Sequence, residues 1–278
     1  MKYYQYLFNN ISHTEQEILI ALLIEIGFDG FEEDDDQLKA YTTKSIIQGE
    51  VDSINDYLKT TYSKSVIPEI NWNEKWEKDF NPVTVYNQNS MHAFVNIRAH
   101  FHPILPMALH DIIITPKMSF GTGHHATTYG MIECMSKIDF SNKDVIDFGT
   151  GTGVLAILAE KLGAARITAI DNDEWSINNA AENIKLNKCS KIEVIKADNI
   201  HSEKQADIIL ANTNLNVIVS NMEEQIQACK KGGIILFSGM LINDKPFITA
   251  ELKKYPIIIS EIYEKNNWIV IVSKIRHE

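Results

Sequence analysis

The stretch Val145-Ile-Asp147-Phe-Gly149-Thr-Gly151-Thr-Gly153-Val-Leu155 constrains the fold of this chain more than any other. A short β-branched, apolar run from Lys143 to Phe148 leads into three alternate glycines. Beyond them Val154, Leu155, Ile157, Leu158 and Leu162 recur on one helical face as far as Gly163. The pattern predicts a buried strand, a tight turn and a helix. Glycine lets the backbone turn sharply and lets a ligand approach it closely, and the start of a helix presents N–H groups without intrahelical partners. A ligand-binding turn is therefore expected here.

The spacing narrows the choice of ligand. A dinucleotide fingerprint, G-x-G-x-x-G, needs its third glycine one place beyond Gly153, whereas the pattern here is G-x-G-x-G. A second strand, Arg166-Ile-Thr-Ala-Ile170, ends in Asp171, where a carboxylate would accept hydrogen bonds from both ribose hydroxyls. That feature fits NAD and S-adenosylmethionine equally. Asp147, at the tip of the first strand, separates them, because an acid there repels a pyrophosphate but suits the ammonium end of a methionine moiety, directly or through water. The expected cofactor is S-adenosylmethionine, bound by Asp147, Gly149, Gly151 and Asp171. A dinucleotide, or a turn that binds nothing, is the alternative.

Past Asp171 the pattern alternates: helix 175–187, strands 192–195 and 206–211, helix 215–229, strand 234–238 after a Gly232-Gly233 turn, and helix 245–254. Strands 256–263 and 268–273, joined by a turn, close the chain as an antiparallel hairpin. The expected fold is α/β, a Rossmann-like, mostly parallel sheet of the class I methyltransferase kind.

Residues 1–70 read differently. Their order is strand, helix, two strands split by Asp34-Asp35-Asp36, a helix over 52–62 and a strand over 65–70, which is the βαββαβ order of a small α+β ferredoxin-like domain. Thr14-x-x-Glu17 reads as a capping box, and Ile18, Leu22, Leu23 and Ile26 as the apolar side of the helix it opens. The domain is rich in Asp and Glu, has no catalytic candidate, and is expected to bind a partner. Residues 71–82 place Trp72, Trp76 and Phe80 on one helical face before Pro82, as a linker helix. The second domain then spans 83–278.

Ser119-Phe-Gly-Thr-Gly-His-His125-Ala-Thr127-Thr128 is a second glycine loop, running into a helix that reaches Met135. Its hydroxyls and amides suit a lid over a small ligand. Adjacent histidines on a helix point about 100° apart, and no third ligand stands nearby, so no metal site is expected.

A formal charge of −11 argues against a protein that tracks nucleic-acid phosphates. Cys134, Cys189 and Cys229 lack metal or redox spacing, and the N-terminal residues lack the apolar run of a signal peptide. A cytoplasmic monomer with no membrane association is expected.

Several motifs together resemble the ribosomal protein L-eleven methyltransferase (PrmA) family: Trp72-x-x-x-Trp76 ending in Phe80-x-Pro82, Phe120-Gly-Thr-Gly-His-His125-x-Thr-Thr128, Asp147-Phe-Gly-Thr-Gly-Thr-Gly153, Asp171-x-Asp173 and Ala211-Asn212. The resemblance spans nearly the whole chain. It implies a substrate-recognition domain before a class I methyltransferase domain that methylates amino groups of ribosomal protein L-eleven, lysine side chains and the N-terminal amine among them. It also implies cofactor contacts at Thr128, with its neighbour Thr127, and at Gly149, Asp171 and Asn212. Asn212, at a strand tip, would hold the attacking nitrogen or the cofactor. Thr213-Asn-Leu-Asn216 is more polar than the family's usual run at that place. A methyltransferase for a small molecule or a nucleic-acid base, or a cofactor-binding module without turnover, are the alternatives.

Overall fold

A computed structural model of the protein describes residues 3–28, 30–34, 36–43, 48–58, 60–67, 80–86, 92–115, 122–200 and 205–276. The linker helix expected over 71–82, apart from its last three residues, and Ser119 to Gly121 of the glycine loop lie outside them. The chain divides into two compact units, Met1–Trp72 and Asn73–Glu278.

In the first unit, strands β1 (Tyr3–Asn9), β2 (Gly30–Asp34), β3 (Gln37–Thr42) and β4 (Thr61–Ile67) form an antiparallel sheet in the order β2-β3-β1-β4, with helices α1 (His13–Glu25) and α2 (Gln48–Leu58) between strands. Alternate residues Tyr6, Phe8, Leu38 and Ala40 meet Leu19, Leu23 and Val51 in its core. Two local expectations are corrected. The capping box is Ser12 with Glu15, two residues early: the Glu15 carboxylate accepts from the Ser12 backbone N–H at 2.8 Å. Gln16, Leu19 and Leu23 face inward while Ile18 is exposed. Helix α2 and strand β4 likewise begin about four residues before the expected positions.

The second unit contains β5 (Val83–Tyr86), β6 (Ala93–Arg98) and β7 (His110–Ile113), a separate three-stranded sheet. Its buried Arg98 forms a two-pronged pair with Asp111, Nε to Oδ1 at 2.9 Å and Nη2 to Oδ2 at 2.8 Å, so the charge is matched where it is dry. Then follow α3 (Ala126–Met135), β8 (Asp144–Phe148), α4 (Val154–Lys161), β9 (Arg166–Asp171), α5 (Glu174–Leu186), β10 (Ile192–Lys196), β11 (Ala206–Asn212), α6 (Leu215–Ser220), α7 (Met222–Gln227), β12 (Cys229–Leu241), α8 (Lys245–Leu252), β13 (Ile257–Lys265) and β14 (Trp268–Ile275).

Strands β8 to β14 make one seven-stranded sheet in the order β10-β9-β8-β11-β12-β14-β13. The first five are parallel, and β14 inserts antiparallel between β12 and β13. The two-residue period of a strand divides the core. Val145, Leu210 and Leu236 face α3, α4 and α5 on one side, while Ile146, Ile209, Ile235 and Phe237 face α6, α7 and α8 on the other. The helix expected over 215–229 breaks at Asn221 into two short ones. The expected Gly232-Gly233 turn lies inside the long strand β12 instead, with Gly232 at φ +74°.

A ladder of asparagines on α5 ties the small sheet to the large one. Asn187 Oδ1 accepts from the Ile113 N–H at 2.9 Å and its Nδ2 donates back to the Ile113 carbonyl at 2.6 Å, as a neighbouring strand would. One turn earlier, Asn183 Oδ1 accepts from the Thr115 N–H at 2.8 Å, while its Nδ2 donates to the Thr152 carbonyl in the glycine turn at 2.8 Å. Side chains four residues apart thus complete the edge of β7 and brace the turn.

Candidate active site

The parallel strands run outward from β8 to β9 and β10, after which the chain returns to place β11 on the other side of β8. Loops part at such a switch point, and a crevice opens beyond the strand ends. A cavity of about 490 Å³ lies there. Its wall includes Gly149 to Gly151 after β8, Asp171 after β9, Asp198 after β10, Asn212 and Thr213 after β11, and Gly239 in β12.

The glycine turn is held from below. Its glycines 149, 151 and 153 have φ of +75°, +54° and +79°, the left-handed region that costs side-chain-bearing residues most. The N–H groups of Gly149 and Thr150 both donate to the Ile170 carbonyl, at 2.8 and 2.9 Å. Asp171 Oδ2 accepts from the Gly151 N–H at 2.9 Å and Oδ1 from the Asp173 N–H at 3.1 Å, so the carboxylate is oriented before any ligand arrives.

Asp147 is fully buried. Its Oδ2 accepts from the Thr150 hydroxyl at 2.7 Å and from the Ala156 N–H at 3.1 Å. Asp147, expected to meet a ligand ammonium directly or through water, is not among the residues of the cavity wall, and its Oδ2 braces the turn from beneath. Burial pushes that carboxyl up to about 7, against the two hydrogen bonds and with help from the negative Asp171. An aspartate in the unfolded chain ionises near pH 4. Between about pH 4 and 7 the unfolded chain therefore sheds a proton that the fold retains, and stability falls as pH rises through that window. Asp147→Asn, which keeps an acceptor oxygen, is expected to remove this fall. Urea midpoints of the two proteins from pH 4 to 8 check it; a difference between them that does not change with pH contradicts the argument.

Helix α3 carries the other glycine-loop residues. His125 caps it, its Nδ1 accepting from the Thr127 N–H at 3.4 Å and lying 2.8 Å from the Thr127 hydroxyl. Burial lowers the His125 pKa, which favours the neutral ring such a cap needs. Thr127, expected at the cofactor, is completely buried behind this cap and does not line the cavity. Thr128 does, and the Asn212 amide donates to its hydroxyl at 3.4 Å.

The profile of the family described as ribosomal protein L11 methyltransferase (PrmA) matches residues 7–276. The chain belongs to the ribosomal protein L11 methyltransferase family. It is 36% identical to a ribosomal protein L11 methyltransferase of Porphyromonas gingivalis, over 98% of this chain and 97% of that one. It is 34% identical to one of Bacteroides thetaiotaomicron, over 98% and 99%. Among solved structures, a ribosomal protein L11 methylase from Lactobacillus delbrueckii superposes with a TM-score of 0.63 at 25% identity, covering 71% of this chain and all of that one. A tRNA m1G37 methyltransferase from M. jannaschii shares the fold at a TM-score of 0.50 and 15% identity, over 99% of this chain and 100% of that one. The large unit thus has the class I S-adenosylmethionine-dependent methyltransferase fold, and the protein is a methyltransferase.

The wall suits the cofactor that this family implies. The volume lies within the usual range for small-molecule sites. Two buried oxygens on the wall residues, Asn212 Oδ1 and Thr213 Oγ1, have no hydrogen-bond partner, and buried polar atoms in folded proteins seldom go unpaired. Of the residues named from sequence, the fold brings Thr128, Gly149, Gly151, Asp171 and Asn212 together on the wall. Sequence reasoning missed Asp198, although it follows β10 as Asp171 follows β9 and strand-tip position could have found it. It also missed His125, which the metal question obscured. Trp268 had no signal, because it reaches the cavity only through the antiparallel insertion of β14, where it meets the His125 ring edge-on at 4.6 Å.

Proposed function

We propose that this protein transfers methyl groups from S-adenosylmethionine to amino groups of ribosomal protein L11, lysine side chains and the N-terminal amine among them. One observation carries the reading. Asn212, a residue of the cavity wall, stands at the tip of β11 with its amide N–H donated to Thr128 and its carbonyl oxygen buried without a partner, which suits an acceptor for the N–H of an attacking amine.

Bound S-adenosylmethionine would supply an electrophilic methyl carbon on a sulfonium. The chain's part is to align and to exclude water. Asp171 would accept from the ribose hydroxyls, Gly149 and Gly151 would admit the cofactor close to the backbone, and Thr128 and Asn212 would face the methionine end. A lysine amine, with a reference pKa of about 10.4, must lose its proton to attack. Phe148, Val154, Leu155 and Trp268 in the wall favour the neutral form by desolvation.

The first unit, taken as a ferredoxin-like domain of residues 1–70 joined through a linker at 71–82 to the catalytic domain at 83–278, is the proposed substrate reader. Its βαββαβ order and sheet order support that assignment, and the exposed Glu32, Glu33 and Asp34 on β2 suit a basic ribosomal protein. Three free cysteines suit a reducing cytoplasm. Among the described residues, no helix is long and apolar enough to cross a membrane.

The test is to incubate the full chain with labelled methyl donor, purified L11 and other ribosomal components. Label is expected in L11, on amino groups located by peptide mass spectrometry. Label in RNA or in a small molecule instead overturns the reading. Asp171→Ala is expected to weaken cofactor binding by about 1–3 kcal/mol, the cost of leaving charge-assisted partners unpaired. Calorimetric titration of a folded variant with unchanged affinity would remove Asp171 from the site.

A further inference from the structure

Thr213 follows Asn212 in the polar segment Thr213-Asn-Leu-Asn216. It lies between two glycines. A Cβ on Gly149 would fall 2.2 Å from the Thr213 methyl carbon, and one on Gly239 would fall 1.8 Å from the Thr213 carbonyl oxygen. The residue is therefore gripped from the turn on one side and from β12 on the other. Within that grip its Oγ1 is buried without a hydrogen-bond partner, as is Oδ1 of the preceding Asn212, and both residues line the cavity. Buried polar groups seldom go unpaired, so two cases on consecutive residues of one wall point to a ligand that donates twice.

We propose that Thr213 is a specificity-determining residue: its hydroxyl and the Asn212 carbonyl oxygen together accept the two N–H bonds of an unmethylated substrate amine. The inference rests on the amine-methyltransferase reading above and deepens it. A neutral primary amine carries two N–H bonds and one lone pair. With both N–H bonds held on one side, the lone pair points away from the two acceptors. It then forms the new N–C bond as the C–S bond of the donor breaks, that electron pair stays on sulfur, and the ammonium product gives up a proton to water. A monomethylated amine has one N–H to offer, and a dimethylated amine has none. Thr213 thus favours the first transfer over the last.

The experiment compares wild type, Thr213→Val and Thr213→Ser on L11 or its lysine peptides bearing zero, one or two methyl groups. Valine keeps the shape that rests on Gly149 and deletes the hydroxyl. Thr213→Val is expected to slow transfer to the unmethylated amine about tenfold, the scale of one ordinary hydrogen bond, and to leave the dimethylated amine unaffected. Thr213→Ser is expected to retain the wild-type ratio of the two rates. In the absence of substrate, Thr213→Val is expected to melt no lower than wild type, because it removes an unpaired buried hydroxyl, whereas a hydroxyl with a structural role would be missed. Equal slowing on all three substrates, a loss of cofactor affinity that accounts for the slowing, or an unchanged ratio in Thr213→Val overturns the proposal. If wild type methylates no amine at all, the amine reading fails and this inference falls with it.

Discussion

Replacing Gly239 by alanine is expected to slow methyl transfer by at least about 100-fold, or roughly 3 kcal/mol in barrier. Gly239 has φ +94°, where an alanine is already strained by about 1–2 kcal/mol. Space is the larger difficulty. The new Cβ would lie 1.8 Å from the Thr213 carbonyl oxygen and 2.6 Å from its carbonyl carbon, both backbone atoms that no rotamer change can move. Relief requires β12 or the segment after β11 to shift. That segment carries Asn212, whose position governs the proposed amine seat, and near-attack geometry tolerates displacements well below 1 Å. The pairing of β12 with β14 shifts register between Ser238 and Met240, so Gly239 is a bulge that the sheet itself does not need there. Rates and melting temperatures of the variant and wild type measured side by side check the argument. A folded variant with wild-type activity would mean that the approach of β12 to Thr213 does not position the site.

Asn183→Ala is expected to destabilise the protein by about 2–4 kcal/mol, read as a lowered urea midpoint with an unchanged slope. The side chain is completely buried and hydrogen-bonds two backbone groups, the Thr115 N–H and the Thr152 carbonyl. Removing it takes a buried hydrogen bond from each. Because Thr152 belongs to the glycine turn, cofactor affinity should fall together with stability, which a purely peripheral asparagine would not produce. A change below about 0.5 kcal/mol, the range of ordinary surface substitutions, would refute the bracing role.

Local patterns were informative where a segment's neighbours impose little. The strand, glycine turn and helix from Asp144 to Lys161 lie where periodicity and glycine spacing put them, as do β9 with Asp171 at its tip and the closing β13–β14 hairpin. Errors arose where two local solutions compete. Thr14-x-x-Glu17 and Ser12-x-x-Glu15 both satisfy the capping pattern, and only the packing of Leu19 and Leu23 against the sheet selects the latter. Gly232-Gly233 reads as a turn in isolation, and both glycines fall within β12 in the stretch between Cys229 and Ile234, where its pairing with β11 jumps register.

The sequence by itself determined that a strand would end in a glycine turn able to admit a ligand, that acids would stand at strand tips, and that a separate acidic βαββαβ segment would precede them, since these depend on residues close together in the chain. Only the tertiary structure decided which groups face the cavity. Asp147 and Thr127 look like ligands in sequence, but burial turns the first into a brace and the second into part of a helix cap. Trp268 and Gly239 look ordinary, but the insertion of β14 and the bulge in β12 bring them to the wall. Whether a side chain meets a ligand depends on strand order and register, which are settled by contacts between segments far apart in the chain.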